Sequence, residues 1–238
     1  MESIKGKHIL VIGATGGIGS KVVELLKNSG ANLFITGRNN DNLTAVAHQN
    51  GLSDDAFFAG DLTHAEKVEE LKNAYLNKYS QIDVLINASG VGIIKNTDSL
   101  TQDDFLTSIM TNLYSPFMII KAFLPEMKKT GKGLIIHIPG VLGKVPMLGS
   151  AAYSASKYGL NGMLQSIREE IKRTEIRITN LFMGGVDSPF WDNIDLRVQK
   201  EKMITAEEAA KAIWFLCQQP SSGVISEMVL QPFNHQAI

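Results

Sequence analysis

Short apolar runs alternate with stretches whose apolar residues recur at helical spacing, almost from one end of the chain to the other. His8 to Ile12 is the first run. It breaks off in Gly13-Ala-Thr-Gly-Gly-Ile-Gly19, after which Val22, Val23, Leu25 and Leu26 follow a helical period. Further runs predict strands over Asn32 to Thr36, Ala56 to Ala59, Ile82 to Ile86, Leu134 to Ile138, Ile176 to Phe182 and Val224 to Leu230. Ile82 to Ile86 is nearly all apolar, the pattern of a strand buried on both faces. Between the strands, helices are predicted over Asp41 to Asn50, from near His64, from a cap at Thr101 or Asp103 to about Lys128, and across Tyr153 to Lys157. A last helix is opened by the capping box Thr205-Ala-Glu-Glu208 and runs to about Gln218. This alternation predicts an α/β protein: residues 1–238 as a single domain, built on one doubly wound parallel sheet of about seven strands with helices on both faces.

Composition narrows the function classes. With 44% hydrophobic and 20% charged residues the chain reads as an ordinary globular protein, and a net charge of −1 gives no reason to expect nucleic acid or an anionic membrane as partner. Cys217 is the only cysteine, so no intrachain disulfide can form, which fits a reducing compartment. No apolar run is long enough to span a membrane, and the first residues lack the apolar core of a signal peptide, so the expected location is cytoplasmic. The histidines His8, His48, His64, His137 and His235 show no metal-ligand spacing, and no metal site is expected.

Candidate chemistry sits where strands end. The 13–19 loop lies at the first strand-to-helix junction, where glycines let backbone N–H groups approach a phosphate and the helix N-terminus adds partial positive charge. Gly13, Thr15, Gly17, Ile18 and Gly19 are its candidate contacts with a nucleotide pyrophosphate. No lysine stands between Gly19 and Ser20, which excludes a Walker phosphate loop. The second strand ends in Gly37-Arg38 rather than in an acid; a guanidinium suits a ribose 2′-phosphate, so NADP is expected over NAD. Asp61 either accepts from an adenine amino group or caps the following helix. Asn87-Ala88-Ser89-Gly90 closes the fourth strand. Pro116 cannot donate to the Asn112 carbonyl and crowds it, so the long helix is expected to bend there. Tyr153 and Lys157, four residues apart, share one helix face, and a cation nearby is expected to lower the tyrosine pKa toward the range of an acid/base. Ser154-Ala-Ser-Lys157 with Lys129-Thr-Gly131 also matches serine β-lactamase motifs, but in the wrong order and without the Ser-Asp-Asn between them.

Taken together, Gly13-Ala-Thr-Gly-Gly-Ile-Gly19, Asp61-Leu62, Asn87-Ala-Ser-Gly90, Asn112 and Tyr153-Ser-Ala-Ser-Lys157, in this order and spacing, resemble the short-chain dehydrogenase/reductase family over essentially the whole chain. The resemblance implies a Rossmann-type fold and assigns roles. The 13–19 loop would hold pyrophosphate, Arg38 the 2′-phosphate, Asp61 and Leu62 the adenine, and Asn87, Ala88 and Gly90 the middle of the cofactor. Tyr153 would be the acid/base, Lys157 would hold the nicotinamide ribose and depress the tyrosine pKa, and the Asn112 carbonyl would bind a relay water. It also implies a homotetramer or homodimer acting on a small carbonyl or alcohol substrate.

Three departures from the family pattern stand out: Ile12 replaces a threonine that braces the turn, Gly184-Gly185 replaces Pro-Gly and is expected to loosen the segment beneath the nicotinamide, and Gly140 replaces the catalytic serine. Loss of one preorganised donor costs on the order of 10²–10³ in rate. Ser150, three residues before Tyr153, His137 and a group on the substrate are the candidate substitutes, with Ser150 better suited to cap the Tyr153 helix. Residues 183–204 are expected to form a substrate lid, and Phe182, Met183, Phe190, Trp191 and Ile194 to supply an apolar wall. The expected activity is NADP-dependent hydride transfer to or from a ketone, aldehyde or secondary alcohol, such as a 3-oxo acid derivative. A catalytically impaired NADP-binding sensor or partner subunit is the alternative that Gly140 raises.

Overall fold

The computed structural model describes residues 1–192, 194–236 and 238. Its strands are β1 (His8–Ile12), β2 (Asn32–Gly37), β3 (Phe57–Ala59), β4 (Val84–Asn87), β5 (Lys132–His137) and β6 (Glu175–Met183), then the short β7 (Val186–Asp187) and β8 (Ile204–Thr205), and β9 (Glu227–Leu230). Seven of them form one sheet in the order β3-β2-β1-β4-β5-β6-β9, every pair parallel. The chain winds outward from β1 in one direction and then from β4 in the other. The crevice between the β1 and β4 carboxyl ends is therefore the topological switch point, where open α/β sheets bind ligands.

Helices α1 (Gly17–Asn28), α2 (Asn40–Gln49) and α7 (Ala206–Leu216) bury Val22, Leu26, Leu43, Ala47 and Ile213 against one face of the sheet. On the other face α3 (Ala65–Lys78), α5 (Ser115–Thr130) and α6 (Ala151–Ile171) bury Leu71, Tyr75, Phe123, Leu160 and Leu164. Strand side chains feed both cores in alternation: Leu134 and Ile136 face one, Ile135 the other. Helix starts are chemically specified. Thr205 and Glu208 form the expected capping box on α7, and Thr101 does the same with Asp104 on α4 (Gln102–Ile109).

The long helix expected from Thr101 to Lys128 is two helices. A π turn, Met110–Tyr114, separates α4 from α5, and the Ser115 N–H reaches five residues back to the Met110 carbonyl. Pro116, in the first turn of α5, has no N–H and crowds the turn before it, and the chain takes up one residue of slack instead of simply bending. The last strand, expected from Val224, begins at Glu227, and β3 begins at Phe57.

Residues 183–204 are more ordered than an irregular lid. Met183 ends β6, β7 pairs with β8 to close the base of the segment, and Pro189–Trp191 and Lys200–Lys202 are single 3₁₀ turns; Asn193 lies outside the described residues. Nor does Gly184-Gly185 loosen it. The Gly184 N–H donates to the Leu230 carbonyl at 2.8 Å and the Gly185 carbonyl accepts from Ile204 at 3.1 Å, so neighbouring strands supply the rigidity a proline would have given. No described helix is long and apolar enough to cross a membrane.

Candidate active site

A cavity of about 500 Å³ opens at the switch point. The loops after four strands line it: Gly13, Thr15 and Gly16 after β1, Gly37 and Arg38 after β2, Asp61 and Leu62 after β3, and Ala88 and Gly90 after β4. Gly13 holds φ +81° and lies so close to the β4 loop that a Cβ would stand 2.8 Å from the Ser89 nitrogen. A Cβ on Gly19 would lie 2.8 Å from the Gly13 carbonyl carbon and closer still to its oxygen. The hydroxyl lost with Ile12 is not missed, because the Gly13 and Ala14 N–H groups both donate to the Thr36 carbonyl at 3.0 Å. Helix α1 starts behind this turn with no side-chain cap and no acid in its first turn, which leaves its N-terminal N–H groups and positive end for an anion. Glycine backbone in close approach, an uncapped helix start and a guanidinium at the rim fit the phosphates of a dinucleotide, and Gly17 and Ile18 belong to that helix start.

Arg38 is exposed at the rim. The Asp61 carboxylate accepts from the Thr63 N–H at 3.0 Å and the Thr63 hydroxyl at 2.8 Å, so it braces the turn before α3, whose capping position is His64. Partial burial pushes the Asp61 carboxyl up, but the two Thr63 hydrogen bonds, with His64 and Arg38 close by, hold it below the usual carboxylate range. Its turn-bracing role and its place on the cavity wall coexist. Leu62 is buried beside it.

Asn87 is buried at the end of β4, and its side-chain oxygen accepts from both the Ser89 N–H and the Ser89 hydroxyl. Asn112, in the π turn, does more with its side chain than its sequence position implies. Its oxygen accepts from the Val91 N–H at 2.9 Å, and its amide donates to the Val91 carbonyl at 2.9 Å and to the Ser156 hydroxyl at 3.1 Å, locking the β4 loop to α6. Gly90 joins cavity to helix: a Cβ there would lie 3.2 Å from the Asn112 oxygen and 3.5 Å from Lys157 Nζ.

Lys157 is buried, donates to the Ile138 carbonyl at 3.1 Å, and stands 5.5 Å from the centroid of the Tyr153 ring. The helical spacing thus brings the pair together as expected, but with the ammonium over the ring and tethered elsewhere. Burial lowers Lys157 to about 8. The expected fall in the tyrosine pKa is reversed in the chain alone. Tyr153 keeps some accessible surface, but protein surrounds it densely enough that desolvation of the phenolate raises the phenol. At neutral pH it is a protonated donor.

Ser150 is not free to take the place of the missing serine. Ser150 occupies the N-cap position of α6 but makes no side-chain cap. Its hydroxyl donates to the Met147 carbonyl at 2.5 Å, accepts from the Met147 N–H at 3.1 Å and contacts the Ser154 hydroxyl at 2.7 Å, which commits it to the loop. Gly140 holds φ +71°, a conformation in which a serine is strained, so this backbone is built for glycine. His137 is buried at the end of β5, in register with Asn87 and Asn180, and its Nε2 has no hydrogen-bond partner among the described residues. Burial, and then the Lys157 charge, lower His137 to about 3. A depressed histidine stabilises the fold fully above its unfolded value near 6.5 and progressively less as pH falls toward 3, with a slope of at most about 1.4 kcal/mol per pH unit. His137→Leu is therefore expected to flatten the fall in urea midpoint between pH 7 and pH 5; an unchanged fall would show that the imidazole is not buried neutral.

Of the expected apolar wall, Phe182 and Met183 are core residues and Ile194 is buried, leaving Phe190 and Trp191 partly exposed. Sequence reasoning missed Ser188, which leans on the Gly17 backbone, and Gly92, which seats Phe190. No spacing signal marks either, since their partners are far away in the chain.

A crevice at the sheet switch point, lined by glycine backbone and Arg38 and backed by Lys157 behind Gly90, marks an α/β fold of the dinucleotide-binding type. The family model described as short chain dehydrogenase matches residues 7–199, and the chain belongs to that family. It is 30% identical over 238 residues to an uncharacterized oxidoreductase of Staphylococcus saprophyticus, covering 98% of this chain and 100% of that one. Among solved structures, an alcohol dehydrogenase from the archaeon Thermococcus sibiricus complexed with 5-hydroxy-NADP is 26% identical with a TM-score of 0.88, covering 98% of this chain and 100% of that one. A metagenomic short-chain oxidoreductase in complex with NADP is 28% identical with a TM-score of 0.83, covering 97% and 99%.

Proposed function

We propose that the protein transfers hydride between NADP(H) and a ketone, aldehyde or secondary alcohol, with Tyr153 as acid/base. The observation that carries this reading is that Gly90, on the cavity wall, is backed by the Asn112 side chain and Lys157 Nζ, and that Lys157 in turn stands over the Tyr153 ring. Bound NADPH would supply the hydride. Gly13, Thr15, Gly17, Ile18 and Gly19 would hold the pyrophosphate, Arg38 the 2′-phosphate, Asp61 and Leu62 the adenine end, and Asn87, Ala88 and Gly90 the centre. The raised phenol of Tyr153 suits the reductive direction, in which its proton goes to the carbonyl oxygen. Lys157, held at the Ile138 carbonyl behind Gly90, would hold the nicotinamide ribose, and the Asn112 clamp fixes the β4 loop beside it. NADP is supported by Arg38 and by the NADP complexes of the two related structures. A small carbonyl substrate, a cytoplasmic location and a homodimer or homotetramer complete the reading. The glycine at position 140, which leaves no hydroxyl there, supports an NADP-binding sensor as the second reading.

The test is NADPH oxidation against a panel of carbonyl compounds, with cofactor binding measured in parallel. Binding without turnover of any of them favours the sensor. Arg38→Glu is expected to weaken NADPH by about 10- to 100-fold, the worth of a charge-assisted contact, and to leave NADH as good or better. Equal effects on both cofactors would remove Arg38 from the 2′-phosphate site.

A further inference from the structure

The segment after β6 comes down on two glycines from distant parts of the chain. At Gly17 a Cβ would lie 2.7 Å from the Ser188 Cβ and 3.0 Å from the Pro189 Cδ. At Gly92, in the loop after β4, it would lie 2.7 Å from the Phe190 Cε2, closer still to its Cζ, and 2.9 Å from the Ile194 Cδ1. Only a residue without a side chain lets the phenylalanine ring rest on that backbone. The ring is also 6.0 Å from the Tyr153 ring and 5.2 Å, edge to face, from Trp191, whose indole N–H is fixed to the Val186 carbonyl at 2.9 Å. Tyr153, Phe190 and Trp191 make a row, and Gly92 closes it from the side.

We propose that Phe190 decides which carbonyl compounds reach Tyr153: its ring fills the place beside the phenol that a substrate's apolar substituent must enter, and Gly92 is the seat that keeps it there. The inference rests on Tyr153 being the acid of the proposed reaction. A carbonyl compound with small substituents shares the space with the ring. A bulky one has to lift the ring off Gly92 first, and its apparent affinity falls by the fraction of molecules already open. The same geometry makes Gly92 a control element without any contact to the reacting atoms, because any side chain there unseats the ring.

The experiment uses the full chain carrying Trp214→Phe, which leaves Trp191 as the sole tryptophan and a reporter of its Phe190 neighbour. Turnover with NADPH is compared for butanone and propiophenone in this chain, in Phe190→Ala and in Gly92→Ala, with Trp191 emission recorded for each. Phe190→Ala is expected to raise the propiophenone-to-butanone ratio of kcat/KM by about tenfold, the scale on which pocket volume discriminates substrates. Gly92→Ala moves the ratio the same way and changes Trp191 emission. A ratio unmoved in Phe190→Ala while butanone is still reduced overturns the proposal, as does a Gly92→Ala chain whose emission matches that of the parent. Absence of turnover with either ketone in the parent, with NADPH bound, counts against the reductase reading instead, and the emission of Gly92→Ala then still decides whether Gly92 seats the ring.

Discussion

Tyr153→Phe is expected to lower carbonyl reduction by about 10²- to 10⁴-fold while NADPH affinity stays within about twofold, the signature of losing a general acid rather than a binding contact. The substitution removes one hydroxyl and keeps the ring, so the contacts to Phe190 and Lys157 survive, and no described hydrogen bond holds the fold through that oxygen. The pH dependence adds a sign. With the phenol raised and Lys157 lowered to about 8, reduction runs from the protonated tyrosine and is expected to decline above about pH 8 as the ammonium is lost. Stopped-flow hydride transfer across pH 6 to 10 measures both. A Phe variant that keeps even a tenth of the parent rate would take the proton donor away from Tyr153.

Gly19→Ala has the largest expected effect on the cofactor. Its Cβ would be driven into the Gly13 carbonyl, and both partners are backbone, so neither can yield without the turn opening. Overpacking of this kind costs about 1 to 3 kcal/mol. The turn it opens is the one that presents the α1 N-terminus to phosphate, so NADPH binding is expected to fall by at least about 100-fold alongside the stability. Gly162→Ala is the contrast. Inside α6 a Cβ at that position meets nothing within 4 Å, and the change is expected to stabilise by about 0.5 to 1 kcal/mol through helix propensity alone. Thermal melts with and without NADPH separate the two. If Gly19→Ala bound the cofactor like the parent, the glycine turn would not be the phosphate site.

Much of the fold could be read from the chain because its signals are local. Nearly unbroken apolar runs such as Ile82 to Ile86 mark strands covered on both faces, and Thr205 with Glu208 marks a helix start whether or not the rest of the protein is present. The π turn was not legible, since proline announces an interruption without stating how the hydrogen bonds reconnect. The site divides along the same line. The clusters at strand ends point to the cavity they line, because parallel strands put all their carboxyl ends on one edge. Ser150, by contrast, carries no local sign that Met147 and Ser154 take its hydroxyl.

By itself the sequence determined the alternation of strands and helices, the glycine turn, the arginine after β2 and the pairing of Tyr153 with Lys157 on one helix, all set by spacing within a few residues. Only the tertiary structure decided that the tyrosine pKa rises instead of falling, that the Asn112 side chain clamps the β4 loop, and that Phe190 lies on Gly92 beside the phenol. The reason is that desolvation and contact depend on what folds over a residue from far along the chain, and a local pattern carries no record of that distance.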